Sequence, residues 1–227
     1  MSFYKQLIEQ TADARSGLLS APIIQACLRG EVSLESYLAF LTEAYHHVSH
    51  TVPLLHECKA ALPLSKLWLG EHLEEYIQEE IGHDQWILND IQAVGGDAVA
   101  VRNGLPGHAT EVMVAYAHDT IARRSPLGFL GMVHVLEGTS VSLALLAADQ
   151  IQHHLRLPDA AFTYLRSHGT LDREHVAHFE FLMDRIEDSR DQTNIIHAAR
   201  AFYRLYGDVF RSLPLPVAPS PAVVAAS

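Results

Sequence analysis

Apolar residues recur at the spacing of an α-helix along almost the whole chain, and no segment shows the period-two alternation of a half-buried strand. Gly95-Gly96 favours a helix end after Val94, because glycine adopts the left-handed conformation of a C-cap without strain. The main helices are predicted at about 3–19, 33–62, 65–94, 108–124, 126–155, 158–168, 170–187 and 190–212. The fold class is therefore all-α, a bundle of seven or eight helices.

Prolines and glycines punctuate this pattern without dividing it into domains. Pro53 removes an intrahelical donor, so it must kink or split the long helix that begins at Ser33. The 227 residues are enough for one good-sized core, and no linker interrupts them. Residues 1–212 are therefore predicted to form a single helical domain. Residues 213–227 are rich in proline and alanine, and we expect a disordered or extended tail there.

The net charge and the cysteines indicate which binding partners and which cellular compartment to expect. The formal net charge is −11 and no basic stripe is present, which argues against a nucleic-acid partner. Cys27 and Cys58 are isolated, as is typical of reduced thiols in a cytosolic protein. The N-terminus lacks the pattern of a signal peptide, and no apolar stretch approaches the ~20 residues of a membrane span. A cytoplasmic protein without a membrane span is expected.

Histidine is unusually frequent, with 15 copies against 16 Lys and Arg together, and imidazole is the commonest metal ligand. The sharpest arrangement is His168, Asp172 and His175, which would share one face if a single helix carried them. Such a face can present two imidazoles and a carboxylate to one metal ion. Gly169 predicts a kink or an irregular turn beside His168. The alternative is a solvated helix face that happens to contain several histidines.

A second arrangement lies in the segment Glu79-Glu80-Ile81-Gly82-His83. Glu80 and His83 form an i,i+3 carboxylate–imidazole pair, the unit that ferritin-like di-iron proteins use to bind iron inside a bundle. Glu79 is four residues before His83 and is an equally acceptable helical partner. Glutamate and histidine are ordinary helix residues, so this pair is the less specific of the two arrangements.

Glu137 stands in an almost wholly apolar helical segment, residues 129–141. A buried carboxylate needs a partner, because an unpaired charge in an apolar interior costs several kcal/mol or becomes neutral. A metal cation is one partner; an arginine or a protonated acid–histidine pair is the alternative. Gly131 and Gly138 are expected to let other helices approach closely. Three carboxylates and three histidines, without cysteine, together suit two iron or manganese ions better than structural zinc.

These residues resemble a known family, the haem-oxygenase-like di-iron oxidases, whose fold is shared with thiaminase II and pyrroloquinoline-quinone synthase. The resemblance rests on EEIGHDQW, HVLEGTS and HGTLDREH and spans about residues 3 to 212. It implies a haem-oxygenase-like bundle that binds two iron ions, with manganese as an alternative metal. The implied ligands are Glu80, His83, Glu137, His168, Asp172 and His175, with Glu79 as the alternate to Glu80.

The resemblance also implies O2 as co-substrate, an external electron donor, and a homodimer. The implied reaction oxidises or cleaves a small organic substrate that is amino-acid-like or fatty-acid-like. Tyr45, His46 and Tyr76 are candidate pocket residues. The first two belong to the segment Tyr45-His46-His47, followed by His50, of which one or two residues are expected to line the pocket, and Tyr76 precedes Glu80 by about one turn.

Other branches of the same fold provide alternative functions. A thiaminase II needs a nucleophilic cysteine, and neither Cys27 nor Cys58 stands at a position that matches one. A cofactor-free quinone synthase would leave six ligand-type residues unexplained. Haem oxygenase needs a proximal histidine near the N-terminus, whereas the first histidine here is His46. A non-catalytic helical binding protein is a further alternative, and it predicts no metal uptake.

Overall fold

The structure is a computed structural model that describes residues 1–216, without the side chains of residues 168–175. This part of the chain forms eleven α-helices and no β-strand, which confirms the predicted all-α class. The helices are α1 (Phe3–Leu19), α2 (Pro22–Leu28), α3 (Leu34–Val48), α4 (Thr51–Ala60), α5 (Leu69–Glu80), α6 (His83–Ala93), α7 (Ala98–Asn103), α8 (His108–Asp119), α9 (Phe129–Leu155), α10 (Thr163–Asp184) and α11 (Ser189–Ser212). Residues 217–227, most of the predicted tail, lie outside the described residues.

Helix α9 is the central element, packed against α10, α11 and α2. Its contact with α11 depends on Gly131, where a Cβ atom would lie 2.6 Å from the backbone nitrogen of Ala199 and 2.8 Å from the carbonyl oxygen of Ile195. A Cβ atom added at Gly138 would have no atom of the described residues within 4 Å, so within that part of the chain only Gly131 serves a close helix contact. The expectation for Gly131 is thus confirmed, and the one for Gly138 stays a prediction.

The segment Pro126–Leu155, which contains α9, is long and apolar enough to cross a membrane by length and composition alone. The sequence pattern did not predict a stretch of this length. In its most apolar window 44% of the residues are buried inside the protein, and the core helix of a soluble protein passes the same test. The packing of α9 between three other helices is the arrangement of such a core helix.

Two predicted long helices are each divided in the structure. The helix predicted from Ser33 ends at Val48, and α4 begins at Thr51, so that Pro53 falls in a first turn where its missing N–H is tolerated. This confirms the predicted split. The helix predicted to run without interruption to Val94 instead breaks between α5 and α6. Gly82 adopts φ 91° at this break, a left-handed conformation that favours glycine.

Helix α10, by contrast, is continuous where two helices were predicted. Its backbone runs without interruption past Gly169, so positions 168, 172 and 175 lie along one helix. The carboxylate of Asp90, on α6, accepts hydrogen bonds from the backbone N–H groups of Thr163 (3.0 Å) and Tyr164 (2.9 Å). A carboxylate at this position satisfies donors that the first helical turn leaves without partners. Asp90 therefore fixes the start of α10 against α6.

Candidate metal centre

Glu80 and His83 face each other across the break between α5 and α6. The Nδ1 atom of His83 lies 3.0 Å from Oε2 of Glu80, and their side chains are only 4% and 13% exposed, respectively. A carboxylate can only accept here, so Nδ1 donates, and in the neutral ring Nε2 then carries the lone pair that binds a metal. Metal-binding histidines commonly donate their second N–H to a carboxylate in this way. The His83 ring is also held by stacking on Trp86, with centroids 4.1 Å apart.

Glu80 and Glu137 line the same interior cavity, which has a volume of about 80 Å³. Residues of α3, α4, α5, α9, α10 and α11 surround it, and most of its wall is apolar. Its described polar lining residues are His47, Thr51, Tyr76, Glu80, Glu137, Ser140, Tyr164 and Tyr206. Neither lysine nor arginine is among the described residues of this wall.

Two carboxylates on one small, mostly apolar cavity fit a metal cation. Like charges at a shared site disfavour ionisation of both groups, and desolvation adds to this cost. A divalent or trivalent cation between Glu80 and Glu137 would offset the repulsion between the two carboxylates and part of the cost of their desolvation. Carboxylate oxygens combined with imidazole are donors that iron and manganese accept. The residues present are therefore compatible with an iron centre at this position.

The two alternatives for the first carboxylate lie in different surroundings. Glu80 is half-buried and lines the cavity, whereas Glu79 is exposed on the adjacent face of α5 and does not line it. The difference follows from the 100° rotation between consecutive helical residues. The side chains of His168, Asp172 and His175 lie outside the described residues, so their place in the ligand set stays a prediction.

Of the three candidate pocket residues, the structure places Tyr76 on the cavity but neither Tyr45 nor His46. Tyr45 packs in a separate part of the core, with Ile87 and Leu88 of α6. His46 is buried, and this desolvation is the main cause that lowers the pKa of its imidazole. His47, the next residue of α3, lines the cavity instead because one helical step turns it toward α9 and α11.

Sequence reasoning named His47 within the histidine-rich segment of α3, but it did not single out Ser140, Tyr164 or Tyr206 as cavity residues. The His47 ring lies edge-on to Tyr206, with centroids 5.6 Å apart, and its Nδ1 is 2.9 Å from the carbonyl oxygen of Glu43. For Tyr206, only the apolar periodicity of α11 could have indicated that its side chain points into the bundle. That signal does not distinguish a cavity wall from an ordinary core position.

A second cavity, of about 110 Å³, adjoins the first. Ser140, Tyr164 and Tyr206 line both cavities, and the remaining wall of the second one is almost entirely apolar. It also contains Cys27, whose pKa burial raises to about 11. The other thiol, Cys58, donates to the carbonyl oxygen of Pro126 at 3.3 Å, and burial raises its pKa to about 12. Both thiols are therefore protonated, and weak as nucleophiles, at neutral pH.

Residues 38–207 match the family described as iron-containing redox enzymes. The chain belongs to this family. Membership confirms the resemblance that the three motifs indicated, and the name of the family implies iron. No curated protein matches the chain. The number of iron ions, the use of O2, the electron donor and the homodimer stay predictions.

Solved structures with a similar fold come from several proteins of the haem-oxygenase-like type. A domain of unknown function with a haem-oxygenase-like fold from Shewanella denitrificans matches with TM-score 0.81 and 21% identity, covering 92% of this chain and 90% of that one. A TenA homologue from Pseudomonas syringae matches with TM-score 0.78 and 12% identity, over 93% and 91% of the two chains. The haem oxygenase of Leptospira interrogans matches with TM-score 0.75 and 16% identity, over 94% and 100%. These likenesses confirm the haem-oxygenase-like bundle.

Proposed function

We propose that this family member is a non-haem di-iron oxidase or oxygenase that uses O2 to oxidise or cleave a small organic substrate. The observation that supports this proposal most directly is the pair of carboxylates on one interior cavity. Glu80 and Glu137 come from different helices, and His83 is hydrogen-bonded to the first of them. The family name implies iron, and the bundle contains a cavity with a mostly apolar wall beside these carboxylates.

The proposed ligands are the described Glu80, His83 and Glu137 together with His168, Asp172 and His175. Helix α10, which carries the last three, packs against α9 and α6, which carry Glu137 and His83. When bound, iron would supply the activation of O2, with two electrons from an external donor; manganese is the alternative metal. The chain's own contribution is to orient the donors, and Glu80 fixes the His83 ring by accepting from its Nδ1.

The adjoining cavity favours an extended, mostly apolar substrate over an amino acid. An amino acid carries an ammonium and a carboxylate, and each would need a partner when desolvated. The described wall of the second cavity contains no charged side chain, and its polar groups are a few hydroxyls and the Cys27 thiol. A fatty-acid-like substrate could place its chain there and its polar end beside Ser140, Tyr164 and Tyr206, next to the metal centre.

The proposal is tested by anaerobic Fe(II) loading followed by a pulse of O2, with optical and Mössbauer detection. Wild-type protein is expected to take up stoichiometric iron and to consume O2. Glu137→Gln should lower iron uptake because it removes a charged oxygen donor at nearly constant volume. Glu79→Gln is the matched control, since this exposed glutamate does not line the cavity. Uptake far below stoichiometric in the wild type, or equal uptake in wild type and Glu137→Gln, would contradict the proposal.

One observation favours a second candidate, a thiaminase II-like reaction: Cys27 lines the apolar cavity. Its raised pKa opposes this, because the thiolate is the attacking form. Thiamin cleavage by metal-free protein that is abolished in Cys27→Ser would establish the alternative. Absence of both thiamin cleavage and metal uptake would favour a non-catalytic binding protein.

A further inference from the structure

A separate group of metal-binding side chains lies at one side of α5 and α10, away from the wall of the interior cavity. His72 and Glu75 are on α5, and His178 is on α10. The Nδ1 atom of His72 is 3.5 Å from Oε2 of Glu75, and Nε2 of His178 is 3.8 Å from the same oxygen. All three donor atoms lie within 4.8 Å of one another.

These distances are close to those around a bound metal ion. Donors at ~2.0–2.2 Å from one tetrahedral metal are about 3 to 4 Å apart, so small side-chain rotations would close the group around a cation. The two imidazole rings are already adjacent, with centroids 4.9 Å apart. Glu75 is 63% exposed, which leaves its side chain open to solvent and to an approaching ion.

The two nitrogen atoms that face Glu75 also support a metal site. His72 Nδ1 and His178 Nε2 are buried, and neither makes a hydrogen bond with any described residue. A simple imidazolium–carboxylate pair would place the donor about 2.7–3.2 Å from the oxygen, and both observed distances are longer. Two inward-facing nitrogens and one carboxylate oxygen instead form the donor set that zinc and non-haem iron accept.

We propose that His72, Glu75 and His178 form a peripheral site for a divalent first-row metal ion, from which the interior centre is loaded. Tyr76 connects the two places: it follows Glu75 on α5, lines the interior cavity, and has its ring 6.1 Å from the ring of His178. Glu80 lies little more than one helical turn further along α5. The loading role rests on the proposed function of the interior centre, whereas metal binding by the peripheral group does not.

Binding is tested with Zn²⁺ alone, by equilibrium dialysis of the full-length protein and metal analysis. In the interior variant Glu80→Gln/Glu137→Gln, which keeps the other four proposed interior ligands, adding Glu75→Gln or His178→Ala should weaken the binding of one ion at least about tenfold, since a ligand of the peripheral group is lost. His153→Ala, at an exposed histidine of α9, is the matched control and should change nothing. Circular dichroism verifies that each variant is folded.

The result that overturns the site is Zn²⁺ binding by the interior variant that Glu75→Gln and His178→Ala both leave unchanged, or no binding at all. If the peripheral ion binds but wild type takes up no further metal, the interior centre fails and the peripheral site stands. The loading role is tested by the rate of anaerobic Fe(II) uptake. Glu75→Gln should slow iron uptake by about tenfold, because the variant loses a negative charge that attracts the cation, and tenfold is the lower end of the effect of electrostatic focusing on association rates. The final amount of iron bound at the interior centre should not change. Equal rates in Glu75→Gln and wild type would overturn the loading role.

Discussion

At the scale of single residues, His134 shows what burial does to a histidine outside the proposed ligand set. It stands on α9 one turn before Glu137, yet it packs among aromatic rings of Tyr4, Phe179 and Tyr203 rather than on the cavity. Burial, with a smaller contribution from the charge of Arg15, lowers the pKa of its imidazole to about 4. The sequence could not separate this core histidine from a ligand, because both kinds recur at helical spacing in apolar helices.

This lowered pKa predicts a loss of stability in mild acid. At pH values between the pKa of 6.5 in the unfolded state and the pKa of about 4 in the folded state, His134 is protonated in the unfolded state and neutral in the folded state. The contribution of the neutral ring is therefore complete above pH 6.5 and declines as the pH falls toward 4, by about 3 kcal/mol in total. Urea unfolding of wild type and His134→Gln across this range should show a steeper acid loss in the wild type.

The comparison isolates one residue, because all other titrating groups are common to both proteins. His153→Gln, at an exposed position of the same helix, should retain the wild-type slope. Parallel pH profiles for wild type and His134→Gln would mean that the buried ring contributes nothing to the acid sensitivity.

At the scale of helices, boundaries were predictable where a local signal sets them. Gly95 ends α6 in the left-handed conformation, with φ 82°, as the double glycine predicted. The break at Gly82 was not predicted, because an isolated glycine inside an apolar pattern is tolerated in many helices. The observed start of α10, at Thr163, differs from the predicted start near 158 for another reason: the carboxylate that caps it, Asp90, comes from another helix. Tertiary contacts of this kind have no signature in the local sequence.

The prediction at the scale of helices concerns the contribution of Asp90 to stability. Asp90→Ala removes the acceptor of two backbone N–H groups at the start of α10 in a buried setting, and should lower the free energy of unfolding by about 2–4 kcal/mol. Asp90→Asn retains one acceptor oxygen and should cost less. Urea unfolding measures both effects, and hydrogen exchange at Thr163 and Tyr164 should accelerate.

Asp97→Ala is the matched control, because Asp97 caps the short helix α7 through a single bond to the N–H of Ala100 in an exposed position. Its loss should cost less than that of Asp90. Equal destabilisation by the two alanine variants would contradict a special role for the contact between α6 and α10.

At the scale of the whole molecule, the bundle was predictable and the cavities were not. Helical periodicity over most of the chain leaves few alternatives to an all-α bundle. The cavity wall, however, joins Tyr76, Ser140 and Tyr206 from three helices distant in sequence, and it is defined by what packing leaves open. Glu80 and Glu137 were accessible to sequence reasoning because an acid in an apolar helix has to be explained. Tyr206 was not, since a polar ring at a core position is ordinary.

The convergence of helices on one cavity predicts that metal and stability are linked. The proposed ligands Glu80, His83 and Glu137 come from α5, α6 and α9, so an ion bound by them would hold three helices together. Free metal at a hundredfold excess over its Kd should raise the free energy of unfolding by about 2.7 kcal/mol. Thermal unfolding with Fe(II) or Zn²⁺ under anaerobic conditions, against the same protein with a chelator, measures this gain.

Glu137→Gln distinguishes specific metal binding from a general effect of salt on stability, because its expected effects without and with metal differ. Without metal, the variant should be at least as stable as wild type, because one of two carboxylates on the shared cavity becomes neutral. With metal, it should lose most of the gain, because the same change removes a ligand. Glu75→Gln should retain most of it, since the peripheral group joins only α5 and α10. A Glu137→Gln protein that is less stable without metal, yet gains as much from it as wild type, would show that this carboxylate serves the apo fold and does not bind the ion.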